Sequence, residues 1–177
     1  MFISQQLRKT NIAEYVLYMW QVEDIIRAYD CNLTLLRKEY ISHFDINEEQ
    51  CEEMTDWYGN LIRMIREEGL TKGGHIQIDN LVVQQMQSPK FPFYNAEYYK
   101  VLPFIVELRN KGNKDMSEIE TCLNALYGVM MLRLQHKEVS PSTENAVKEI
   151  TTFLGMLSDY YKKDKEEGLK ELMNDEL

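Results

Sequence analysis

Between Asn47 and Gly69 the apolar residues Cys51, Met54, Tyr58, Leu61 and Ile65 recur three and four positions apart, the period that lays side chains along one stripe of an α-helix. Asn47 and Gln50 have the spacing of a capping box at its head, and Gly69 stands where a helix stops. The same signals recur along the chain. Asn11 with Glu14 opens a helix from about Ile12 to Tyr29, and Asn32 caps a short one carrying Leu33, Leu36, Tyr40, Ile41 and Phe44. After Gly73-Gly74 a further helix passes through Ile78, Leu81, Val82, Gln85 and Met86 to Ser88-Pro89. Another is expected from about Asn95 to Asn110, kinked or started late by Pro103. Ser117 with Glu120 opens the next, through Leu134, and Ser140-Pro141 puts proline at the first position of the last. No stretch alternates apolar and polar residues long enough for a strand. The expected fold is all-α: a compact bundle of six or seven helices with the first helix central. Residues 1–161 form a single helical bundle domain, and 162–177 form a charged tail, a helical extension or disordered segment with four bases and six acids.

Composition narrows the function. At 177 residues the chain has the length of one domain, and a net charge of −9 repels phosphate backbones and anionic membranes. Neither nucleic acid nor membrane is an expected partner. Cys31, Cys51 and Cys122 are an odd number without CxxC spacing, which builds neither a disulfide framework nor a zinc knuckle. The opening MFISQQLRKTN lacks the apolar core of a signal peptide, and no run approaches the apolar length of a membrane span. The expectation is a soluble cytoplasmic protein.

Catalytic and metal motifs are missing. The residues three before His43, His75 and His136 are Tyr40, Lys72 and Arg133, so the Glu-x-x-His pairs of a di-iron bundle are absent. There is no HExxH, no GxSxG, no phosphate-binding glycine loop and no calcium-loop spacing in the acidic run from Asp45 to Asp56. That run complements a helix dipole. No metal and no cofactor is expected, and an enzyme is left without a nucleophile.

Charges inside apolar stripes are more informative. Glu23 falls in the middle of the arc formed by Ile12, Val16, Met19 and Ile26, which predicts a buried carboxylate. Arg27 follows four residues later, the favourable order for an ion pair. Arg109 falls among Tyr98, Leu102 and Ile105, and Arg133 flanks Leu126 and Met130. A bare charge in such places costs several kcal/mol, roughly, unless it is paired. Glu23, Arg27, Arg109 and Arg133 therefore either form a structural network or line an interhelical pocket for a small anionic ligand, with arginine forks taking a carboxylate or phosphate. A third outcome is that the arginines reach solvent along their stems.

The segment SPKFPFYNAEYYKVLP, residues 88–103, holds three of the four prolines and the aromatics Phe91, Phe93, Tyr94, Tyr98 and Tyr99. Such apolar bulk either plugs one end of the bundle or makes a partner surface.

The stretches SQQLRKTNIAEYVLYMWQVEDIIRA, residues 4–28, and FYNAEYYKVLPFIVELRNKG, residues 93–112, resemble a bacterial domain-of-unknown-function family, number 4924. The resemblance implies a compact helical protein of this length from a bacterial cytoplasm and carries no catalytic or binding residues. The leading functional expectation is a non-enzymatic interaction or scaffold protein, with a protein partner or a homodimer contacting residues 88–103. The alternative is the anionic-ligand pocket of Glu23, Arg109 and Arg133.

Overall fold

The computed structural model describes residues 2–86, 94–112 and 114–175. Among them are helices and turns and no strand. The α-helices are α1 (Phe2–Thr10), α2 (Ile12–Ala28), α3 (Leu33–Glu39), α4 (Glu48–Glu67), α5 (Gln77–Gln85), α6 (Tyr94–Lys111), α7 (Glu118–Leu134) and α8 (Pro141–Asp175), with a 3-10 turn at Ile41–His43. The all-helical class matches the periodicity. The helix count exceeds the expected six or seven because of α1, which was not among the expected helices: it buries Ser4 and leaves Phe2 and Ile3 more than half exposed. Through the charged segment after Tyr161, α8 continues as helix to Asp175.

Side chains set the helix starts where the capping signals stand. The Asn47 side chain accepts from the Gln50 N–H at 2.8 Å while the Gln50 side chain accepts from the Asn47 N–H at 3.1 Å, a complete capping box. Asn32 accepts from the Leu35 N–H, Ser117 from the Glu120 N–H, and Ser140 from the Thr143 N–H ahead of which Pro141 opens α8. Asn11 accepts from the Glu14 N–H at 3.3 Å and its amide donates to the Glu14 carboxylate at 3.0 Å. In α6 the helix runs straight through Pro103, whose side chain is exposed. The ring removes the N–H that would have reached the Tyr99 carbonyl, and it does so on the solvent side.

Tertiary packing divides the chain into two compact units. Unit 1 is Tyr15–Val82 with the chain up to Arg8. Its core joins Val16, Met19, Trp20, Val22 and Ile26 of α2 to Leu36, Ile41, and the Tyr58, Leu61, Ile62 and Ile65 stripe of α4, all buried. Each such aliphatic side chain contributes about 1.5–3 kcal/mol by leaving water. Unit 2 is Lys9–Glu14 with the chain from Val83 onward. Here α6, α7 and α8 pack on one another and bury Val101, Ile105, Ile119, Leu123, Ile150, Phe153, Leu154 and Leu157. The Ala13 N–H donates to the Ser158 hydroxyl oxygen at 3.2 Å, and that hydroxyl donates to the Leu154 carbonyl at 2.9 Å.

Two faces differ from the sequence expectation. On α5, Ile78 and Leu81 are exposed while Asp79, Val82 and Val83, with Met86 just after the helix, are buried. Both stripes obey the helical period, so the apolar pattern could not choose between them. On α6, Val101 and Ile105 face inward while Val106 is half exposed.

Candidate functional site

The polar centre of unit 1 is Glu23. It lies on α2 with no exposed surface, as its place in the apolar arc requires. Its Oε2 accepts from Arg27 Nη2 at 3.1 Å and stands 2.9 Å from His75 Nδ1, while its Oε1 accepts from the Ile76 N–H at 3.1 Å. Ile76 immediately precedes α5, so a carboxylate from α2 supplies the N-terminal partner that α5 would otherwise draw from its own side chains. The His75 ring stacks on Trp20 with centroids 4.0 Å apart and planes 11° from parallel.

Arg27 makes four hydrogen bonds. Besides Glu23 it donates to Asp24 Oδ1 at 3.0 Å, to the Leu70 carbonyl at 3.0 Å through Nε, and to the Gly74 carbonyl. Gly74 has φ +88, so this turn is held to glycine by its backbone conformation. The guanidinium thus knits α2 to the chain leading into α5.

Beside this cluster sits Asp79, fully buried at the head of α5, with the Tyr15 hydroxyl and the Glu23 carboxylate facing it. Neither of its oxygens makes a hydrogen bond of good geometry. Burial first, and the Glu23 charge second, push its carboxyl up to about 7. Sequence reasoning missed both Asp79 and His75. The stripe Asp79, Val82, Val83, Met86 was the available signal for the first; His75 lies in a turn where no period applies.

A second feature of unit 1 is a set of rings around Tyr40, with Phe44, Tyr29 and Tyr58 at centroid distances of 5.2, 6.0 and 6.1 Å. Burial pushes the Tyr58 and Tyr18 phenols up, which keeps them neutral packing groups. In unit 2 burial pushes the Cys122 thiol up to about 12, leaving it without thiolate character.

The remaining sequence candidates have local partners. Arg109 is half-buried and donates to the Lys114 carbonyl in the turn after α6. Arg133 is exposed and meets both oxygens of Glu144 at 2.9 and 2.7 Å. Glu23 and Arg27 come together in unit 1; Arg109 and Arg133, in unit 2, turn to separate partners. Tyr98 is partly buried and donates from its hydroxyl to Glu118 Oε1 at 2.9 Å, whereas Tyr99 is 68% exposed. Phe91, Phe93 and the side chain of Tyr94 lie outside the described residues. Among the described residues no group of three or more histidines, cysteines and carboxylates is placed to hold a metal, and no helix is long and apolar enough to cross a membrane.

In unit 2 an open-sided cavity of about 570 Å³ lies among α6, α7 and α8. Phe104, Leu108, Val129, Leu132, Val147 and Ile150 make its wall apolar, with Asn124, Ser142, Thr143 and the Glu107–Lys111 ion pair at its polar edge. Gly128 also lines it, and a Cβ built there meets nothing within 4 Å.

A family model for the domain of unknown function DUF4924 matches residues 1–168. The chain belongs to this family. The match spans both units of the DUF4924 chain, from α1 into α8. No curated protein and no solved structure matches it.

Proposed function

We propose that this DUF4924 chain is a non-enzymatic cytoplasmic binding protein, and that the cavity of unit 2 takes a small, largely apolar molecule. The observation that carries the reading is the cavity itself. At about 570 Å³ it falls in the range of small-molecule sites, its wall is apolar, and its few polar groups stand together with the Glu107–Lys111 pair. The open space over Gly128 adds room that a side chain would fill.

Thermal melts with 1-decanol at micromolar concentration test this. Binding to the folded state alone raises the melting temperature. Gly128→Leu fills the cavity, and because leucine is also the better helix former by about 1 kcal/mol, the variant should melt higher than the wild type and lose the response to decanol. A wild type indifferent to decanol, or a variant that responds equally, removes the reading.

The second reading is the interaction role expected from the aromatic segment. What favours it is the outer face of α6, where Tyr99 is 68% and Val106 50% exposed one heptad apart with Pro103 between them. The anionic-ligand alternative has less support, because Glu23, Arg109 and Arg133 already have partners.

A further inference from the structure

In unit 1, two carboxylates from different helices are buried against each other with unequal company. Glu23 of α2 is met by three donors, from Arg27, His75 and the Ile76 N–H. Asp79 of α5 is equally buried, and neither of its oxygens has a well-formed hydrogen bond. The groups around it are the Glu23 carboxylate and Tyr15 hydroxyl from α2 and, more distantly, the Arg8 guanidinium from α1. Arg27 and His75 are committed to Glu23. An ionised Asp79 would therefore be a second negative charge in a site buried from solvent, where Arg27 already serves the first and Arg8 is the further cation. Protonated, the same side chain is a neutral donor, and the Glu23 carboxylate beside it is an acceptor.

We propose that Glu23 and Asp79 share one proton and so form a latch that holds the head of α5 on α2, and that loss of this proton releases α5 together with the turn Gly73–Ile76. The released segment carries His75, so opening also unstacks Trp20 and frees the Ile76 N–H from its carboxylate cap.

The direction with pH follows from proton counting. In the open form Asp79 is an ordinary aspartate that has lost its proton above about pH 4; in the closed form it keeps the proton until about pH 7. Between these limits the closed form binds one proton more, so the closed form weakens as pH rises. The opening constant should increase about tenfold per pH unit from pH 5 to 7 and level off above.

Native-state hydrogen exchange at the Ile76 and Asp79 amides, corrected for the intrinsic pH dependence of exchange, reads this constant directly. The expected result is the tenfold-per-unit rise in the wild type and a flat profile in Asp79→Asn, which cannot lose the proton. With Trp57 replaced by phenylalanine, Trp20 fluorescence should change over the same pH range. An unaltered slope in Asp79→Asn would overturn the proposal. Carboxyl carbon NMR of the wild type needs no variant: Asp79 titrating between about pH 6 and 8 supports the latch, and titration near pH 4 overturns it.

Discussion

Removing Arg27 would strand a fully buried carboxylate. Its guanidinium neutralises Glu23 and at the same time satisfies the Leu70 and Gly74 carbonyls, three acceptors that no neighbouring lysine could reach with one fork. Arg27→Met should therefore cost about 3–5 kcal/mol in urea unfolding at neutral pH. Arg27→Lys should recover only part of that, because a point charge replaces a planar donor set. A loss under about 1 kcal/mol in Arg27→Met would mean that the guanidinium is not what keeps Glu23 buried. Glu23 and Arg27 were legible in the sequence because their arc and their spacing of four are local properties of one helix. His75 and Asp79 were not, because what brings them to Glu23 is the path of the chain between α4 and α5. Arg133 teaches the converse. The α7 helix is apolar over most of its circumference, and a charge beside one stripe there is also beside solvent, where Arg133 meets Glu144.

At the level of the element, the capping residues were the most reliable signals. Asn32, Asn47 and Ser117 each occupy the position their side chains suggested, since a cap depends on three or four consecutive residues and on nothing distant. Helix α1 shows the limit: Phe2 and Ile3 are exposed while Ser4 is buried, so its apolar side and its buried side do not coincide. Helix α6 shows another. Proline predicts a kink or a late start, yet here its missing N–H falls on the solvent side, where water can serve the Tyr99 carbonyl, and the helix continues. Replacing Pro103 by alanine restores that hydrogen bond at an exposed position. The variant should be more stable by about 1–3 kcal/mol in thermal unfolding, less whatever the more flexible unfolded chain takes back. A decrease would show that the proline ring packs against something on that face.

For the whole molecule, helical class and acidic balance followed from period and composition, whereas the division into two units did not. Contacts between residues far apart in sequence decide that division, and a single sequence carries no record of them. The exposed face of α6 poses its question at this scale as well. If Tyr99 and Val106 are a contact between copies or with another protein, Tyr99→Ser with Val106→Ser should lower the sedimentation coefficient of the species purified from its host while leaving the melting temperature within about a degree, since both side chains are already solvated. An unchanged coefficient would leave this surface as ordinary exposed apolar area.

The six residues Lys9–Glu14 belong to unit 2 although the chain on either side of them belongs to unit 1. A gene for this protein therefore has no single place at which it can be divided into two self-sufficient halves. A fragment beginning at Val83 lacks the Ala13 amide that donates to the Ser158 hydroxyl, and a fragment ending at Val82 carries the junction of α1 and α2 without the unit that junction belongs to. Recombination that shuffles modules should pass this protein on whole, and efforts to express either half should meet the same indivisibility.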